Sequence, residues 1–101
     1  MRRLMIITFP PEPFNSAVRD GAVGLKIKRI LDAQAPEAVY FTEQGGKRGA
    51  VLAVNPSESS DIPALAEPWY LTFDASVEFR VAMTPDDLAR AHLDDLGKIW
   101  G

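Results

Sequence analysis

The sequence predicts an α+β fold: a four-stranded antiparallel sheet with helices on one face and a further helix at the C-terminal end. The first observation behind this is the order of hydrophobic periods. Stretches alternating every two residues and stretches repeating every 3.6 follow one another as β-α-β-β-α-β, then a helix. The second is that turn and cap residues fall where the period switches, at Pro10-Pro11, Gly45-Gly46, Asn55-Pro56 and Thr84-Pro85. This order is that of the split βαβ, ferredoxin-like unit. No motif points with equal force to an activity.

The first strand spans Leu4 to Phe9, with apolar or near-apolar residues in both alternate sets, Leu4, Ile6 and Thr8 against Met5, Ile7 and Phe9. Such a strand is covered on both faces. Pro10 and Pro11 end it, and Glu12-Pro13-Phe14 opens a helix, with a carboxylate at its positive end and proline in the first turn. That helix is expected to run to about Ala33. Phe14, Val18, Leu25, Ile27, Ile30 and Leu31 form its apolar stripe. Gly21 and Gly24 interrupt it, each costing about 1 kcal/mol relative to alanine. They predict a kink, a break or a close approach of another backbone, with tight helix-to-sheet packing favoured over a ligand.

Glu37 to Glu43 reads as the second strand, Gln44 to Gly49 as a turn, and Ala50 to Val54 as the third strand, apolar on both faces. After Asn55-Pro56-Ser57, capping oxygens at Ser59, Ser60 and Asp61 precede a helix from Ile62. Pro68 is expected to break or kink it, leaving Trp69 and Tyr70 in the kinked turn. Asp74 to Ala82 alternates as the fourth strand, with Val77, Phe79 and Val81 on one face and Glu78 and Arg80 on the other. Thr84-Pro85-Asp86-Asp87 then starts a last helix carrying Leu88, Ala91, His92 and Leu96, with Gly97 as its stop.

Composition narrows the function classes. The chain has 101 residues, 47% of them hydrophobic and 25% charged, with a net charge of -3, which predicts one ordinary globular domain. A slightly acidic chain without a basic run lacks the footprint of a nucleic-acid binder. The absence of cysteine removes disulfides, zinc-thiolate sites and thiol nucleophiles. The apolar run after Arg2 and Arg3 stops at Thr8 to Pro11, too short for a signal segment or a membrane span. The cytoplasm is the expected location, with no membrane and no nucleic-acid partner.

A four-stranded sheet with helices on one face leaves the other to water, and water-facing strands carry polar residues at alternate positions. The first and third strands do not. A second copy of the chain, packed sheet to sheet as an isologous pair, is the expected cover. The last helix folded back over the sheet is the competing one.

With that surplus, the layout resembles the dimeric α+β barrel superfamily, in which two ferredoxin-like protomers pack sheet to sheet. More narrowly, Met5-Ile6-Ile7-Thr8-Phe9-Pro10-Pro11-Glu12, Leu65-Ala66-Glu67-Pro68-Trp69 and Val77-Glu78-Phe79-Arg80 are similar to a family of small uncharacterised bacterial proteins within it. The resemblance covers almost the whole chain, but its motifs are structural. Short proteins of this kind are sometimes labelled pantothenate synthetase. Those enzymes are far longer, nucleotidyltransferase-like, and carry a paired-histidine motif against ATP phosphates. This chain has one histidine and no such motif, so the label is not carried over. What the superfamily resemblance implies is a small-molecule pocket and, in its enzymes, cofactor-independent monooxygenase or isomerase chemistry.

The candidate ligand residues are Tyr40, Trp69, Glu78, Arg80 and His92. Arg80 can bind a carboxylate with Glu78 holding it in place, since residues two apart on a strand share a face; a salt bridge between the two is the plainer reading. Tyr40, Thr42, Trp69 and Tyr70 can line an apolar pocket with polar handles, or simply pack in the core. His92, the one histidine, can act as a general base or sit as a surface residue. Asp86-Asp87 and Asp94-Asp95 fit a helix N-terminus and a solvated face better than a metal site. The Gly45 to Gly49 turn, with Lys47 and Arg48, lacks the lysine-serine ending of a phosphate loop and opens a strand. The expectation is a homodimer that binds a small organic molecule without a cofactor. The alternative is a non-catalytic interaction protein using an apolar patch near Trp100.

Overall fold

The computed structural model describes all 101 residues. Strands β1 (Arg3–Thr8), β2 (Ala38–Gln44), β3 (Lys47–Val54) and β4 (Ser76–Val81) form one sheet in the order β2-β3-β1-β4, and every neighbouring pair is antiparallel. Helices α1 (Pro11–Arg19), α2 (Val23–Gln34) and α3 (Ile62–Phe73) form a layer against the sheet, and α4 (Pro85–Ala89) and α5 (Leu93–Trp100) follow β4. The α+β class and the antiparallel sheet are as the sequence predicts.

Alternation decides which side chains enter the core. Met5 and Ile7 of β1 and Ala50, Leu52 and Val54 of β3 turn toward the helices, where they bury against Ile30, Trp69 and Phe73. Phe9, just past β1, touches Phe14, Trp69 and Phe73 edge-on at centroid distances of 5.1, 5.9 and 5.3 Å. Each such pair contributes about 0.5–1.5 kcal/mol beyond area burial, so this aromatic group is the tightest knot of the core. Arg48 caps its edge, with its guanidinium 4.4 Å from the Phe14 ring centre and a 2.6 Å hydrogen bond to Asn15.

The turn predicted over Gln44 to Gly49 shrinks to Gly45-Gly46, because Lys47, Arg48 and Gly49 pair with Gln44, Glu43 and Thr42 as the start of β3. Three helical stretches also depart from expectation. The helix predicted from Glu12 to about Ala33 is two helices, α1 and α2. Glu12 does act at its start, where its carboxylate accepts from the Ser16 N–H at 3.3 Å and the Ser16 hydroxyl at 2.5 Å. The break falls at Gly21, whose φ is +73°. A Cβ at Gly21 or Gly24 would meet nothing within 4 Å, so no close approach of another part of the chain calls for either glycine. Gly21 is there because the chain turns through a left-handed conformation.

The second departure is α3, which runs unbroken through Pro68. Ala66, Trp69 and Phe73 are buried along one side of it, and that packing outweighs the roughly 3 kcal/mol a proline costs inside a helix. The carbonyl left without a donor belongs to Ala64, which is exposed to water.

The third is the last helix, which is split. Thr84 caps α4 as predicted: its hydroxyl accepts from the Asp87 N–H and the Asp87 carboxylate accepts from the Thr84 N–H, both at 3.0 Å. The helix then tightens, with Ala91 N–H donating to Leu88 C=O and His92 N–H to Ala89 C=O. His92 turns left-handed at φ +53°, and Gly97 lies inside α5 instead of ending it.

The segment after β4 does not fold back. Every residue of α5 is exposed. The radius of gyration is 17.0 Å and the long axis 59 Å, where a compact domain of this length has a radius near 13 Å. Residues 84–100 therefore form an arm that projects from the body.

Candidate functional site

The sheet register defines the surface opposite the helices. Tyr40, Val51, Ile6 and Glu78 lie abreast across β2, β3, β1 and β4. Ala38, Ala53, Leu4 and Arg80 form the next row, and Thr42, Gly49, Thr8 and Ser76 the row on the other side. The middle of this open face is apolar, made by Leu4, Ile6, Val51 and Ala53, and no helix covers it. β1 and β3 are expected to be covered on both faces; within the chain only the helix side is covered, and the second side has no cover of its own. Gly49 belongs to this face because the Gln44 side chain crosses it; a Cβ there would stand 2.6 Å from Gln44 Cγ.

Polar groups stand at the flanks. Tyr40 is 72% exposed at the β2 edge. Across the face, about 14 Å away at three strand spacings, Arg80 donates to Glu78 at 2.9 Å with both side chains more than half exposed. An ion pair this exposed is worth about 0–1 kcal/mol. Arg80 can therefore offer its remaining N–H donors to a ligand carboxylate while Glu78, bound through Nη2, keeps the guanidinium on this face. The arrangement is an apolar floor with a hydroxyl on one side and a cation with a carboxylate on the other.

The other two predicted site residues lie elsewhere. Trp69 is fully buried on the helix side of the sheet, where its indole N–H donates to Gln34 Oε1 at 3.2 Å and Gln34 in turn donates to Leu65 C=O at 2.7 Å. Trp69 and Tyr40 are on opposite sides of the sheet and line no common pocket. Trp69 is a core residue because α3 is unbroken and turns it inward. His92 sits at the elbow between α4 and α5, where with Leu88, Leu93 and Asp94 it borders an open crevice of about 560 Å³. It has no place on the sheet face.

One ion-pair cluster, of Arg2, Glu37 and Asp87, has no signal in the sequence. Arg2 donates to Glu37 at 3.0 Å and stands 3.6 Å from Asp87, tying the root of the arm to the body. The hydrogen bond and charge of Glu37 raise the Arg2 pKa above its ordinary value. The Thr84 N–H, with smaller contributions from the Thr84 hydroxyl, Arg90 and Arg2, holds the Asp87 carboxyl below its ordinary value. No local pattern signals these partners, since they meet only when the sheet assembles.

No protein-family model, curated protein or solved structure matches this chain. No helix is long and apolar enough to cross a membrane.

Proposed function

We propose that the protein is a homodimer of ferredoxin-like protomers that face each other across their open sheets and hold a small organic molecule with an anionic group between them. The observation that carries this reading is the apolar floor of Leu4, Ile6, Val51 and Ala53 flanked by the exposed Glu78–Arg80 pair. The strand order β2-β3-β1-β4 supports the ferredoxin-like part, since β3 lies between β1 and β2 as the split βαβ unit requires. A flat apolar floor suits the body of the ligand, and Arg80 its carboxylate. The superfamily resemblance extends this reading to cofactor-independent turnover of the monooxygenase or isomerase type in such a chamber.

The test is native mass spectrometry on freshly purified, tag-free protein, followed by Arg80→Ala. The expected result is a dimer carrying extra mass, and a folded, dimeric Arg80→Ala protein that has lost most of it. Full retention of the molecule by that variant removes Arg80 from the site, and an empty monomer sinks the reading.

A second reading is favoured by one observation: the arm presents Leu93, Leu96, Ile99 and Trp100 to solvent, Trp100 at 84% exposure. Under that reading the chain is a non-catalytic interaction protein whose arm meets a different protein.

A further inference from the structure

The arm raises a question about the dimer, because helix α5 is amphipathic and has nothing to pack on. Leu93, Leu96 and Trp100 share one side of it at helical spacing, while Asp94, Asp95 and Lys98 share the other. An eight-residue helix does not hold itself together in water, and the cover that stabilises it must come from outside the arm.

The root of the arm is fixed in place. The Ala82 N–H donates to Arg2 C=O at 3.2 Å, extending the β4–β1 pairing, and Asp87 is held by Thr84 and Arg2. From that root, at the β4 edge, α5 is carried away from its own sheet. Folding back in cis would mean changing the left-handed turn at His92 or breaking the Arg2–Asp87 contact at the root.

The strands are six to eight residues long, so the open face measures about 20–25 Å along the strands and about 19 Å across them, roughly 400–450 Å². A stable specific interface covers about 800 Å² on each partner. Facing sheets with that flat outline sit at the small end of stable interfaces even allowing for side-chain relief, and any further apolar contact adds to them. An exchanged arm counts twice on each protomer, once as the arm given and once as the surface that receives the partner's arm.

A groove of about 750 Å³ between α2 and α3, bordered by Lys26, Arg29 and Leu71, is the other apolar surface that α5 can meet. Its lining also includes Glu67, and seating Leu93, Leu96 and Trp100 there would turn Asp94 and Asp95, on the opposite side of α5, away from Lys26 and Arg29. The open sheet carries no such unpaired cations at its centre and is continuous with the dimer contact already proposed.

We infer that α5 of each protomer packs on the second copy of the chain, with Leu93, Leu96 and Trp100 against the rim of the partner's open sheet, so that each ligand chamber is closed by the arm of the other subunit. This rests on the dimer reading above. It makes the site a shared one: Arg80, Glu78 and Tyr40 come from one protomer, and the apolar lid comes from its partner.

The test replaces Trp100 with the photo-crosslinking residue p-benzoylphenylalanine, in a mixture of isotopically heavy and light protein, alongside sedimentation of the same sample. Trp100 is exposed in the single chain, so the replacement does not threaten folding. The expected result is a dimer that yields heavy-light crosslinks to peptides from β1, β2 or β3, together with a Leu96→Asp variant whose dimer dissociates at least tenfold more readily. A dimer whose crosslinks all fall within one chain, or map to α2 and α3, overturns the arm exchange and leaves the dimer standing. A dimer that gives no crosslink does the same. A monomer at every concentration overturns both.

Discussion

Trp69 and Tyr40 show how differently two aromatic residues with the same sequence prospects fare. Trp69 fills the centre of the core and satisfies its one donor on Gln34; Tyr40 stands on the open face with most of its ring in solvent. Truncating the first removes a large buried side chain and leaves a cavity, a change that costs about 3–5 kcal/mol. Truncating the second removes exposed surface, which changes stability by less than about 0.5 kcal/mol. Urea unfolding of Trp69→Ala and Tyr40→Ala should reproduce that contrast under conditions where the chain is monomeric. Comparable losses in the two variants would show that Tyr40 is already covered in the free chain.

At the scale of elements, the hydrophobic period identified every strand, because each strand has one set of alternate residues that must enter the core. The breaks were harder to read. Gly21 was visible as a weak point, but whether it kinks, breaks or packs depends on its φ, which no neighbouring residue dictates. Pro68 misled in the opposite direction, since the packing of Ala66, Trp69 and Phe73 that keeps α3 whole is tertiary. The same holds for the candidate site: the shared face of Glu78 and Arg80 was legible from their spacing, whereas the rows that bring Tyr40, Val51, Ile6 and Glu78 abreast need a register that only strand pairing sets.

The attachment of α4 is an element-scale property with a pH signature. Asp87 accepts from the Thr84 N–H and faces Arg2 and Arg90, so its folded pKa lies below that of an unfolded aspartate. Its contribution to holding α4 is therefore complete above about pH 3.9 and is lost as the pH falls through the lowered folded value. The Thr84 amide, followed by NMR during acidification, should shift with a midpoint below the ordinary aspartate range. A midpoint at or above that range would mean that the cap does not hold the carboxylate in its charged form.

For the whole molecule, the unusual quantity is the surface left unsatisfied. A chain of this length has enough apolar residues for one core, and here that core uses only the helix side of the sheet. Leu4, Ile6, Val51 and Ala53 on the other side, and the stripe on α5, remain as surplus. If that surplus is an interface, a charge placed in the middle of it separates the subunits without disturbing the core behind it. Ile6→Asp does this: Ile6 lies abreast of Val51 and Glu78 on the open face, one residue away from Met5 and Ile7, which point into the core. The expected outcome is a folded monomer by sedimentation, with a melting temperature independent of protein concentration, whereas a dimeric wild type melts higher as its concentration rises. A variant that stays dimeric would place the interface elsewhere and free the open sheet from the role assigned to it. A variant that unfolds even as a monomer would show that the open face contributes to the stability of the single chain, and the surplus would then be part of the fold.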